Sequence, residues 1–252
     1  MKEKRNPIVR AISFLTALSC FIAALFFLAM VTTSEGKSEQ YLAPIIELTP
    51  ENTVTIRGEI NHETISNATF KFLELRRLNP YRKIYIVIDS PGGMVQPAID
   101  FIGFMNTQTN YETISIFAAS AAAMIMQLLE TRRNVTDTTA IMFHEASITL
   151  PSSMPEGQQR STRAHLLRII DIFEKRTARK VQIPFEEYKK SLEDEIWMYG
   201  TDIISAKAGD RLISLMCSPD LIYQEEVLRI RSFIFIEEKT FSACPLIRQP
   251  KI

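Results

Sequence analysis

The chain has 252 residues, enough for one sizeable α/β domain with accessory segments. Its 29 basic residues balance 29 acidic ones and no basic tract stands out, which argues against a nucleic-acid partner. No metal-ligand cluster, phosphate loop, nucleotide motif or internal repeat is visible, so neither a metal nor a cofactor is expected.

The chain opens on a basic flank, residues 1–10, with Lys2, Lys4, Arg5 and Arg10 against Glu3. Residues 11–34 then carry no charge, and Ile12, Phe14, Leu15, Leu18, Phe21, Ile22 and Leu25 to Leu28 fill them. As a helix that length matches a bilayer core. The basic side should stay in the cytoplasm while the remainder crosses, giving a single-pass protein of the cytoplasmic membrane with its folded part on the extracytoplasmic side. A cleaved signal peptide shares this polarity, and residues 29–33 are small enough for it; the long apolar run without a small-x-small site favours an anchor. Cys20 reads as a buried thiol within the run. Residues 35–52, polar and interrupted by Pro44 and Pro50, read as a tether.

A folded domain is expected over 53–215. It starts with a strand, Thr53 to Ile56, that stops at Arg57-Gly58. A helix from His62 to Arg77 follows, capped by Asn61, with Ile65, Ala68, Phe72 and Leu75 at helical spacing. Ile84 to Asp89 is an unbroken apolar run of strand length, ending in Ser90-Pro91-Gly92-Gly93, as expected of a strand buried on both faces. Val95 to Asn106 reads as a helix. A second apolar strand from Ile114 runs into Ala118-Ala119-Ser120-Ala121, where a further helix should begin, and a third, Ala140 to Phe143, delivers His144. Strands alternating with helices imply a parallel sheet with functional groups at the strands' carboxyl ends. Three such ends would carry main-chain amide donors, a hydroxyl nucleophile and an imidazole base, the parts of an acyl-transfer site. Each part has an ordinary structural reading as well: Ser120 as a small residue that lets helix and sheet approach, His144 as a buried histidine.

Ser-Pro-Gly-Gly, then Ala-Ala-Ser at the head of a helix, then Met-Phe-His after a strand, together resemble the ClpP/SppA superfamily of serine peptidases. A histidine base rather than a lysine makes the chain most similar, within it, to the proteolytic subunit of Clp protease. The resemblance spans roughly Val54 to Leu215. It implies an α/β fold of the ClpP/crotonase type, a spiral of βα units around a parallel sheet, here preceded by one transmembrane helix. It also implies Ser120 as nucleophile, His144 as general base, and the amides of Gly93 and Ala121 as the oxyanion hole, on a turn supported by Ser90, Pro91 and Gly92. Peptide or protein substrates and homo-oligomerisation follow from the same likeness, while an ATPase partner stays open. The sequence departs from the pattern at Ala121-Ala122, where Met-Gly or Gly-Gly is common, and at Ile116-Phe117, where a glycine often lies.

The third member of a triad is less sharply marked. Arg163 to Arg176 carries the apolar stripe Leu166, Leu167, Ile170 and Phe173 and resembles the family's long helix after the histidine; Pro184 to Ser191 begins a short one. Aligning Trp197-Met198 with the family's aromatic-methionine pair puts Glu195 at the acid, with Asp194 the alternative if the register differs by one, and Asp210 at a second family aspartate. The family usually has aspartate in the first of these places. His62 and His165 read as surface helix residues. Leu150 to Ser161, with Pro151, Pro155 and Gly157, reads as a flexible loop.

Residues 216–252 form an extension beyond the resemblance, with a largely apolar stretch over Val227 to Ile236. Cys217 and Cys244 bracket it: they would pair in an oxidising compartment and stay free thiols in the cytoplasm. The sequence therefore reads as a membrane-anchored serine endopeptidase. The rivals are a catalytically inactive ClpP-like scaffold and a crotonase-like acyl-CoA enzyme, in which paired amides would hold a thioester enolate without needing a serine.

Overall fold

The computed structural model describes residues 43–250 except 149 and 232–235. The expected basic flank, membrane segment and most of the tether lie outside the described residues. Among those described, no helix is long and apolar enough to cross a membrane.

The central sheet has the order β2-β3-β4-β5-β6, formed by β2 (Thr53–Arg57), β3 (Ile84–Ser90), β4 (Tyr111–Ala119), β5 (Arg133–Phe143) and β6 (Ile196–Tyr199). The first four are parallel and β6 is antiparallel to β5; β7 (Arg211–Leu212) pairs with the start of β5. Crossovers run through α1 (His62–Leu78), α2 (Val95–Met105) and α3 (Ala121–Leu128). This is the α/β architecture with a mostly parallel sheet expected from the βα alternation.

The apolar run of β3 is continuous because the strand is covered twice. Ile84, Ile86 and Ile88 pack with Phe72 of α1 and Phe101 of α2, whereas Val87 points to the other face and joins Ile46, Leu48, Ile114, Ile213 and Leu221. Complete burial of side chains this size stabilises by about 1.5–3 kcal/mol each. Helix α1 starts where its cap was expected: the Asn61 side chain accepts a 2.9 Å hydrogen bond from Thr64 N.

The second face corrects the expected tether. Within residues 35–52, Ile45–Leu48 forms β1, paired in parallel with β8 (Ser214–Cys217), because Ile46 and Leu48 alternate inward and fill the space over Val87 and Ile114. Strand β8 also straddles the boundary expected at 215. Beyond it come α7 (Pro219–Tyr223) and an antiparallel ribbon of β9 (Glu225–Arg231) and β10 (Ile236–Ser242), so the apolar stretch begins within β9 and its last residue opens β10. Cys217 and Cys244 are joined by a disulfide. The returning chain is held by Arg57, which donates to Ser242 O at 2.9 Å and to Cys244 O at 3.0 Å.

The long helix α4 runs over Glu156–Lys180, so the loop expected to reach Ser161 closes earlier. After it come α5 (Phe185–Ser191), a 3-10 turn (Leu192–Asp194), β6 and α6 (Gly200–Ser205). Asp210, below the amino-terminal end of β5, accepts hydrogen bonds from Arg133 N, Nε and Nη2 at 2.6–3.1 Å. Burial works against the charged Asp210 carboxyl, but these bonds outweigh it and hold the group below its ordinary range.

Candidate active site

Strand register sets the site. Ser90 lies beside Ala118, Ala119 beside Met142, and all three strands run the same way, so Gly92, Ser120 and His144 emerge at one edge of the sheet. The Ser120 amide donates to Met142 O at 2.9 Å, locking the end of β4 onto β5. Helix α3 begins at the next residue, which forces a sharp strand-to-helix turn. Ser120 makes that turn at φ 54° and ψ −123°, a region that costs a non-glycine residue about 1–3 kcal/mol. Strain of this kind persists where the surroundings over-determine it. The result is a serine at the head of a helix whose first amide, that of Ala121, finds no acceptor among the described residues.

The Ser-Pro-Gly-Gly turn packs directly on this elbow. Ser90 is fully buried and its Oγ accepts the Gly92 amide at 3.1 Å; Gly92 O accepts from Ile60 N at 2.7 Å, and Ile60 O accepts from Met94 N at 2.8 Å. With its neighbours thus engaged, the Gly93 amide makes no hydrogen bond among the described residues. Both glycines are required. A Cβ on Gly92, at φ 96°, would lie 2.6 Å from Ala119 O and 2.7 Å from Ser120 Cβ; one on Gly93, at φ 142°, would collide with Ile60 O.

Ser120 and His144 line one cavity of about 60 Å³ with Ala121, Met124, Phe143 and Tyr188. They make no hydrogen bond to each other among the described residues, a common state of catalytic pairs before substrate arrives. His144 also has no hydrogen bond to Glu195 or Asp194. In the antiparallel pairing of β5 with β6, Phe143 faces Ile196, and the next residues in that register are His144 and Glu195. Glu195 sits at φ 58°, and its exposed carboxylate accepts the Trp197 indole N–H at 3.0 Å. Trp197 in turn stacks between Phe117 and Tyr199. Asp194 is exposed within the 3-10 turn. His62 and His165 are exposed on α1 and α4, as expected.

Glu174, which no sequence motif singles out, lines the same cavity from α4 together with Ile170, Phe173 and Thr177. Its side chain is only 13% exposed, and Oε2 is buried without a hydrogen bond. The nearest cation, Lys189 Nζ, stands 3.7 Å away. Burial pushes the Glu174 carboxyl above its ordinary range; Lys189 opposes this, and the Asp171 and Glu145 carboxylates add to it. The available signal was periodicity: Glu174 follows Ile170 by four residues, on the inward stripe of the helix.

A family model described as Clp protease matches residues 36–207, more than half of the chain. Strands β1 to β6 and the site fall inside that span. The chain belongs to the Clp protease family, a family of peptidases that act on peptide or protein substrates.

Proposed function

We propose that the protein is a membrane-anchored serine peptidase that cleaves peptide bonds through an acyl-enzyme. The observation that carries this reading is the strained Ser120 elbow, with two unengaged amides next to it and His144 on the same cavity. Ser120 Oγ attacks the scissile carbonyl carbon and passes its proton to His144. The oxyanion takes the amides of Gly93 and Ala121, at the head of α3, where the helix dipole favours negative charge. The C–N bond then breaks as His144 protonates the leaving amine, and water, activated by the same imidazole, releases the acyl group. Glu195 is the acid that orients the imidazole, supported by the register of β6; Asp194 has no comparable support.

Residues 11–34 form the anchor and place the catalytic domain on the extracytoplasmic side. The Cys217–Cys244 disulfide favours that side, since such bonds persist in oxidising compartments. Homo-oligomerisation accords with the family and with Leu167 and Ile172 exposed on α4. The test is labelling of the full chain by a fluorophosphonate probe, comparing wild type with Ser120→Ala and His144→Ala. Labelling lost in both variants supports the mechanism. A folded wild-type protein that does not label would instead be a scaffold that has kept the fold.

A further inference from the structure

The cavity beside Ser120 is walled by apolar side chains and contains one carboxylate, and that combination sets a preference. We propose that Glu174 makes it a subsite for a basic side chain, arginine or lysine, on the residue whose carbonyl Ser120 attacks. The inference rests on the peptidase reading and adds the substrate class.

Four observations support it. The cavity is shared with both Ser120 and His144, so the side chain on the carbon next to the attacked one is the one placed to enter it. Its volume of about 60 Å³ is more than a single water needs, which leaves room for part of a side chain. Met124, Phe143, Ile170 and Phe173 offer apolar wall to the methylenes of such a chain, which bury their stems on surfaces of this kind. Glu174 Oε2 lacks a hydrogen-bond donor although it is buried, and a buried carboxylate is disfavoured until a cation or donor reaches it. Lys189 does not fill the role: its ammonium is 3.7 Å from Oε2, about half-exposed, and also lies 5.8 Å from the centre of the Phe185 ring. It shows instead that a cation is drawn to this carboxylate from the solvent side.

An acidic side chain in the substrate would meet Glu174 with like charge, and a neutral one would leave the carboxylate with only the 3.7 Å ion pair to Lys189 and no hydrogen bond at Oε2. A site built around a buried polar group rejects ligands that fail to satisfy it more strongly than an apolar pocket rejects a changed methylene. The neutral isostere should therefore react more slowly by at least about tenfold.

The experiment uses the full-length chain and two peptidyl phosphonates, which acylate-site serines attack, identical except for arginine or norleucine at the residue bearing phosphorus. The labelling rate constants are compared within each protein, with wild-type fluorophosphonate labelling of Ser120 as a separate control. The expected result is an arginine-to-norleucine ratio of at least about ten in the wild type, falling to about one or below in Glu174→Gln and staying above one in Glu174→Asp. A wild-type ratio of one or less, or a ratio that survives Glu174→Gln, overturns the proposal and leaves the peptidase reading standing if the fluorophosphonate labels Ser120. Absence of fluorophosphonate labelling removes the peptidase reading and this inference with it.

Discussion

Gly92→Ala tests the link between the Ser-Pro-Gly-Gly turn and Ser120, the proposed nucleophile. The new methyl would lie 2.6 Å from Ala119 O, 2.7 Å from Ser120 Cβ and 3.0 Å from Ala121 N, at a residue held at φ 96°. Two of these are main-chain atoms, and the third belongs to the serine itself, so no flexible side chain can move aside. Left-handed strain costs about 1–3 kcal/mol and overpacking a similar amount, giving a destabilisation of about 2–6 kcal/mol. For a domain of this size each kcal/mol lowers Tm by about 2–4 °C, so a fall of at least about 4 °C is expected. Because the displaced atoms include the elbow, fluorophosphonate labelling should drop far more than stability accounts for. Gly103→Ala is the matched control: it lies exposed in α2, has nothing within 4 Å of the new methyl, and should stabilise by about 0.5–1 kcal/mol. Wild-type labelling and an unchanged melting midpoint in Gly92→Ala would refute the argument that the turn buttresses the nucleophile.

Glu195→Gln should slow fluorophosphonate labelling by at least about a hundredfold if that residue orients His144, while Asp194→Ala should leave the rate within about twofold; the opposite order would move the acid to Asp194. Asp210 is held below its ordinary pKa of 3.8, so the stability it contributes is present above that value and lost as pH falls through the depressed one. Asp210→Asn should therefore cost about 1–2 kcal/mol at pH 7, after allowance for its partial exposure, and flatten the acid limb in denaturation curves taken between pH 7 and 2. Replacing Cys217 and Cys244 by serine opens a loop with a sequence separation of 27, for which chain entropy gives a loss of about 3.5 kcal/mol, measurable as a lower denaturant midpoint.

What the sequence made legible follows from where the physical signal was strong. The run from Ile84 to Ile88 reads as a doubly covered strand, and β3 is one; Asn61 marks where α1 starts and the stripe through Phe72 marks its buried face. Strand β1 was hidden because four residues between two prolines carry too short a pattern, and its partner β8 lies 169 positions away at Ile45 and Ser214. The elbow and the glycine turn were readable, since positive φ beside a buried strand end demands small residues. Glu174 was not, because an acidic residue on an amphipathic helix reads as solvated unless one knows that its stripe faces a cavity. The pairing of Cys217 with Cys244 depended on a fold that brings residue 244 back across β1 and β8.

The two parts of the site differ in how firmly the fold holds them. Ser120 and His144 end β4 and β5, interior strands whose register is fixed by buried residues on both sides and by the Ser120–Met142 hydrogen bond. Glu195 precedes a four-residue edge strand, after a 3-10 turn, and its carboxylate is engaged by Trp197. On the proposed mechanism, completing the triad requires exchanging that indole hydrogen bond for one to His144. The net cost of giving up an exposed hydrogen bond is about 0.5–1.5 kcal/mol. A substrate strand bound at the sheet edge beside Glu195 needs to supply only that much to favour the active arrangement. On this proposal Ser120 and the Gly93 and Ala121 amides are preorganised by the parallel sheet, and Glu195 is the member that substrate binding can adjust.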